Sequence, residues 1–292
     1  MRKTPDPLLS PLVKDRVEAV AEGMKPRRGR SVAGARRRRL AIRVPAASMQ
    51  AESHAGPASH LALDRRSPER PEFRGMAKTV TTAAFVSQKG GVGKSTLARV
   101  LALGAVHRGR RTLLADFDLD QLTCVEWGAL RLRAGFDPEI DTRAFKSLKK
   151  LQKSDNAADF IVADTRGLAD DLSTEVAEIS DVVFLPTGVS QDDLRPTLNL
   201  ARRLARRGAE GRLVVVLSKV GRSETQFGRA VEVVEDAGFE LLSEHWPQRD
   251  GFQSDLDAGR AGREARNPYL REIAERMESA LWARAIKAKP RA

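Results

Sequence analysis

Between an apolar run, Val80 to Val86, and a helix-patterned stretch that opens at Ser95, the chain reads Gln88-Lys89-Gly90-Gly91-Val92-Gly93-Lys94-Ser95-Thr96. No other segment restricts the fold so narrowly. Glycines at positions 90, 91 and 93 let consecutive backbone N–H groups wrap an anion along a path that residues with a Cβ resist. The following helix turns the positive end of its dipole toward the same anion. Lys94 is spaced to reach terminal phosphates, and the Ser95 hydroxyl to bind Mg²⁺. A chance glycine-rich turn is the bland alternative, but a complete match in a strand–turn–helix context disfavours it.

The rest of the folded part alternates strand and helix. Strands are expected at Arg111–Asp116, Asp159–Ala163, Asp181–Leu185, Leu213–Leu217 and Leu241–Trp246. Helices are expected at Ser95–Arg108, Gln121–Arg133, Asp171–Ile179, Gln191–Arg207, Ser223–Ala237 and Asn267 to about Ala285. Asp141 reads as the cap of a further helix with Phe145, Leu148 and Leu151 on one face. The strands are apolar nearly throughout, as strands buried on both faces are. The expected fold is therefore α/β: a mostly parallel twisted sheet covered by helices on both faces, of the P-loop NTPase type. Ligands on such sheets sit at the carboxyl ends of the strands.

Charge divides the chain. The formal net charge is +12 over 292 residues. Residues 1–75 hold 17 Lys/Arg against 8 Asp/Glu, a net of +9, and residues 76–292 only +3. The first segment carries Arg36-Arg37-Arg38-Arg39, many prolines and one aromatic, Phe73. It cannot bury enough apolar surface to offset its ordering entropy, so disorder is expected there, with a short helix at Lys14–Glu22. It reads either as a basic arm for nucleic acid or as sequence upstream of a true start at Met76. The second is favoured, because a compact domain begins at once after Met76. The division is thus a basic tail over 1–75 and a P-loop domain over 76–292.

No apolar run approaches the roughly 18 to 20 residues of a membrane helix, and no secretory signal is recognisable. An intracellular, cytoplasmic protein is expected. The single cysteine, Cys124, excludes a disulfide framework within one chain and any site built from several of its thiolates. His54, His60, His107 and His245 form no ligand-like cluster.

Acids end two of the expected strands: Asp116, Asp118 and Asp120 after Leu113-Leu114-Ala115, and Asp164 after Phe160-Ile161-Val162-Ala163. Near a bound phosphate, such acids can hold Mg²⁺ or orient water. Arg166 follows Asp164 closely and reads equally as a phosphate contact or as an exposed side chain.

With Lys89 ahead of Gly90, the loop resembles the deviant phosphate loop (deviant Walker A) of the ParA/MinD family of partition and positioning ATPases, over about residues 78 to 285. The resemblance implies slow ATP hydrolysis with Mg²⁺. It places the nucleotide on Lys89, Gly90, Gly91, Val92, Gly93, Lys94, Ser95 and Thr96, and the metal on Ser95 and Asp164. Catalysis would fall to Lys89, Lys94 and Asp118, with Asp118 in the water-orienting position. Leu119 replaces the family's proline and Asp120 precedes Gln121, which keeps Asp120 as an alternative acid; Arg166-Gly167 replaces the usual proline after Thr165. Ser218-Lys219 ends a strand where relatives often place an Asn-Lys or Asn-Arg pair, and Ser218 in place of Asn leaves the adenine contacts unassigned.

In that family the first lysine reaches the partner's nucleotide, so the resemblance implies an ATP-sandwiched homodimer acting as a switch. A partition role would add nonspecific DNA binding in the ATP state, a ParB-like stimulating partner and association with the nucleoid. Arg222, Arg229, Arg263 and Arg266 lie where some relatives contact DNA. Other readings are a MinD-like ATPase at the membrane and an accessory ATPase of conjugation or secretion. The membrane reading ranks lower, since Leu281 to Lys287 has few large apolar residues.

Overall fold

The computed structural model describes residues 80–154, 157–167 and 170–288. The expected tail over 1–75, with its helix at Lys14–Glu22, lies outside the described residues. The strands are β1 Thr81–Phe85, β2 Thr112–Asp116, β3 Asp141–Ala144, β4 Phe160–Asp164, β5 Val182–Thr187, β6 Leu213–Val220, β7 Glu240–Leu241 and β8 Trp246–Pro247. The helices are α1 Lys94–His107, α2 Thr123–Arg133, α3 Leu148–Gln152, α4 Asp171–Ile179, α5 Gln191–Leu204, α6 Glu224–Asp236, α7 Asp250–Asp257 and α8 Pro268–Lys287.

The sheet runs β3-β2-β4-β1-β5-β6-β7, with β8 paired to β6, and every pairing is parallel. Side chains alternate faces along each strand. Ala83 and Phe85 of β1 join Phe160, Val162 and Phe184 under α1 and α8, whereas Ala84 and Val86 join Ile161, Ala163 and Leu185 under α4 and α5. Both faces are apolar because both are covered. The expected doubly covered parallel sheet is what forms.

Two expectations change. Asp141 does not cap a helix; Asp141–Ala144 is edge strand β3, in register with Leu113–Asp116, and the helix that follows spans only Leu148–Gln152 with Ser147 as its cap. The sequence Asp-Thr-Arg-Ala has no strand-like pattern of its own, and the pairing with β2 imposes its extended backbone. The expected last strand at Leu241–Trp246 is two short strands, β7 and β8, on different stretches of β6.

Helix α1 carries a run of buried residues, Leu97 to Ala105, because sheet and α8 enclose it. Its contact with α8 is polar at one point. Glu278 is fully buried and receives Arg108 Nη1 at 2.5 Å and Arg263 Nε at 3.0 Å. A buried carboxylate needs such partners. The side chain lies on Gly104, where an added Cβ would stand 2.7 Å from Glu278 Oε1 and closer still to its Cγ and Cδ. Moving Glu278 off Gly104 would disturb its contacts with both arginines. Gly104→Ala is expected to lower stability by about 1–3 kcal/mol through overpacking, although Ala is intrinsically better in a helix by roughly 1 kcal/mol. A urea midpoint at or above wild type would show that Glu278 moves aside.

Candidate nucleotide site

The loop after β1 sits at the carboxyl edge of the sheet between β4 and β5. Gly91 (φ +74°) and Gly93 (φ +90°) take left-handed backbone, and Gly93 forms the N-cap of α1, its carbonyl accepting from Leu97 N at 3.0 Å. A Cβ on Gly93 would stand 2.7 Å from Ser218 Oγ. On the other flank, a Cβ on Gly167 would stand 2.8 Å from Gly90 Cα. The loop is thus held between the β4 turn and the end of β6 at close range. Ser87 Oγ donates to the Lys89 carbonyl at 2.6 Å and steadies its entry.

Beneath the loop lies a buried charged cluster. Asp164 is 1% exposed. Its Oδ2 accepts from the Cys124 thiol at 3.2 Å, and its Oδ1 is buried with no hydrogen-bond partner. Burial pushes the Asp164 carboxyl above the usual range, opposed by the Ser95 hydroxyl and the Lys94 ammonium. Burial likewise raises the Cys124 thiol well above its ordinary value, so it is a neutral donor. Lys94 is 7% exposed; burial lowers its pKa, with Asp164 and Asp118 pulling the other way.

Asp116 is also fully buried, its carboxyl pushed up to about 7 by burial and by Asp164. It accepts from Asp118 N (3.0 Å), Cys124 N (2.9 Å) and Val125 N (3.4 Å). It therefore shapes the turn after β2 and caps α2. Asp118 has the freer position: Oδ1 accepts from Asp120 N at 3.3 Å and Gln121 N at 3.2 Å. Among the described residues the second oxygen accepts no hydrogen bond, and the Asp118 charge acts on Lys94 of the loop. Asp120 instead points outward to an ion pair with Arg166.

The residues present fit a magnesium nucleotide. The left-handed glycines form a cradle for phosphate, while Asp164 Oδ1 is a buried acceptor lacking a donor. Among the described residues no group of three or more His, Cys, Asp or Glu could hold a metal ion. A Mg²⁺ here would take Ser95 and Asp164 and fill its remaining positions with phosphate oxygens and water, as this ion does.

The structure brings together Lys89 to Thr96, Asp118 and Asp164 as one edge of the sheet. Lys89 does not fold back on its own loop; its Nζ lies 2.8 Å from Asp193 Oδ1 in the first turn of α5. Burial pushes Asp193 up, but hydrogen bonds from Lys89 and Ser190 outweigh it and hold the carboxyl below its ordinary value. Nothing in the local sequence marks Asp193, or sets Lys219, near the end of β6, at the loop. Lys219 has φ +54°, a conformation rarely adopted by non-glycine residues, and a Cβ on Gly91 would stand 4.0 Å from its Nζ. The apolar strand ending in Ser218-Lys219 was the available signal, and only the sheet order sets it against the loop.

The four arginines expected to meet DNA divide into two pairs. Arg222 and Arg229 are exposed and have no ion-pair partner among the described residues. Arg263 is bound to Glu278, and Arg266 Nε reaches Asp255 Oδ1 at 3.0 Å. The second pair is tied to carboxylates of the fold itself.

Comparison with known proteins agrees with this geometry. The model of the CobQ/CobB/MinD/ParA nucleotide binding domain matches residues 83–255. Protein virC1 of Rhizobium radiobacter is 26% identical over 187 residues, which is 60% of this chain and 80% of that protein. Among solved structures, a putative plasmid partition protein of Borrelia burgdorferi B31 bound to AMPPNP has a TM-score of 0.55 at 16% identity, over 71% of this chain and 99% of that one. The septum site-determining protein MinD of Pyrococcus horikoshii OT3, complexed with Mg-ADP, has a TM-score of 0.54 at 18% identity, over 71% and 95%. Apo McdA of Cyanothece has a TM-score of 0.54 at 16% identity, over 69% and 99%. These structural likenesses are of fold, whereas the family match spans more than half of the chain and includes the loop and both acidic strand ends. The chain belongs to the CobQ/CobB/MinD/ParA nucleotide-binding family and is an ATPase of the ParA/MinD type.

Proposed function

We propose that this ATPase is a ParA-like switch: it binds Mg-ATP, dimerises around it, holds duplex DNA without sequence preference in that state, and lets go on slow hydrolysis. The observation that carries this reading is Lys89. It flanks the phosphate loop, its side chain is 42% exposed, and its ammonium lies on Asp193 rather than over the glycines behind it. A lysine so placed is available to a nucleotide held by a second copy of the chain, the role implied by the resemblance.

The chemistry follows from the arrangement of the chain's own groups. The loop amides and Lys94 bind and align the phosphates, so catalysis is mainly positioning and charge stabilisation. Mg²⁺, when bound, neutralises charge on the phosphate oxygens. Asp118, fixed through Oδ1 by its own turn, would use the other oxygen to orient water. Asp116 is less suited to that task, because three backbone amides already occupy it.

The DNA part of the reading is supported by exposed Arg222, just before α6, and exposed Arg229, within it. A membrane role has less support. Leu270, Ile273, Met277 and Leu281 of α8 are buried in the core, and Trp282 packs on Phe160 with ring centroids 5.3 Å apart. Among the described residues no helix is long and apolar enough to cross a membrane.

Size exclusion with ATP tests the switch. Asp118→Ala is expected to accumulate as a dimer while hydrolysis falls about 100-fold; a monomeric variant with normal turnover would exclude both the dimer and this choice of acid. Duplex DNA of arbitrary sequence should bind only with Mg-ATP and weaken steeply with salt. Replacing Arg222 and Arg229 by Ala should flatten the log–log salt slope by about 1 for each phosphate no longer neutralised, and an unchanged slope would remove them from the interface. Metal binding requires the Asp164 carboxylate, whose pKa is raised by burial. Magnesium-dependent nucleotide affinity should therefore fall as the pH is lowered into the raised titration range of Asp164. Calorimetry showing no loss of affinity on acidification would mean that protonation of Asp164 does not limit metal binding.

A further inference from the structure

We propose that Arg166 is a ligand of the terminal phosphate in this site, held on Asp120 until a nucleoside triphosphate displaces that carboxylate. The inference deepens the nucleotide reading above and rests on it.

The backbone places Arg166 at the mouth. Strand β4 lies between β1 and β2, so the turn after β4 separates the phosphate loop from the turn that carries Asp118 and Asp120. Its stem is anchored: Thr165 is 2% exposed and its Oγ1 donates to the Phe85 carbonyl at 2.9 Å. Gly167 lies on the loop so closely that a Cβ there would be 2.8 Å from Gly90 Cα and 3.1 Å from Gly90 N. Arg166, between these two fixed points, has its main chain beside the first glycine of the loop. A long side chain from that position reaches either the loop's anion or the neighbouring turn.

In the structure it takes the neighbouring turn. Its Nη2 pairs with Asp120 Oδ2, and the two side chains are 45% and 69% exposed. An ion pair so open to water adds little to stability, so exchanging partners costs little. A terminal phosphate is the stronger claimant. It carries more negative charge than one carboxylate, and its oxygens match the planar fork of a guanidinium. A diphosphate lacks the terminal phosphate and so gives Arg166 no such reason to move. The pair therefore distinguishes triphosphate from diphosphate. The other cations at the edge have different settings: Lys94 is buried over Asp164 and Asp118, and Lys89 is drawn to Asp193 on the far flank.

Calorimetry on the whole chain with Mg²⁺ and either AMPPNP or ADP provides the test, with no turnover required. Arg166→Ala should weaken AMPPNP roughly ten- to hundredfold and leave ADP within about twofold. Asp120→Asn should tighten AMPPNP severalfold, and that gain should vanish when Arg166→Ala is combined with it, because it acts through the freed guanidinium. Equal weakening of both nucleotides, no weakening of either, or a gain from Asp120→Asn that survives without Arg166 would overturn the proposal and leave an ordinary surface ion pair. A wild-type chain that binds neither nucleotide would instead remove the nucleotide reading beneath it. A wild type that binds both, with a neutral Arg166→Ala, refutes this inference alone.

Discussion

The site depends on close approach of one turn to another at the carboxyl edge of the sheet. The phosphate loop is held between the β4 turn, where Gly167 meets Gly90, and the β6 end, where Ser218 meets Gly93. Neither contact leaves room for a Cβ. Glycine is needed here for space as much as for dihedral freedom: Gly167 requires the gap, and Gly93 requires both the gap and a positive φ. Parallel strands in register bring these turns together, so the order of strands around β1 is what makes the loop a site.

Beneath that loop the sheet gathers charge where water is scarce. Asp116, Asp164, Cys124 and Lys94 are all buried, and each carboxyl is pushed upward chiefly by desolvation. The two acids are used differently. Asp116 has its oxygens filled by backbone amides and holds the turn, whereas Asp164 retains one oxygen with no partner. An incompletely satisfied buried carboxylate is costly, and a cation is what would complete it. Hydrogen bonding thus divides one residue type between holding the fold and serving the site.

Arginines and lysines separate on similar grounds. Arg108 and Arg263 meet a fully buried Glu278, and Arg131, itself buried, is held by Glu264 and the Gly259 carbonyl; these pairs are part of the packing. Lys89 with Asp193 and Arg166 with Asp120 are open to water at the mouth of the site. Pairs of the first kind are hard to break once formed, and pairs of the second kind change partner at little cost.

Much of this was legible in the amino-acid order alone. The glycine pattern with Lys89 and Lys94 announces a phosphate loop, and the strands ending in Asp116 and Asp164, the first with Asp118 two residues on, announce their acids, because local spacing and apolar runs suffice for both. Strand β3 was not legible: Asp141 to Ala144 is extended only because β2 pairs with it. Nor were the partners of Lys89 and Arg166, the approach of Lys219 to the loop, or the bond between Cys124 and Asp164. The bonded groups among these lie between 40 and 104 positions apart. The linear order thus determined which chemistry the chain carries and that its strands are buried on both faces. Tertiary structure alone decided which carboxylate is left unsatisfied, which cations can change partner and which turn touches which, since burial and contact across a sheet arise only once the strands are ordered.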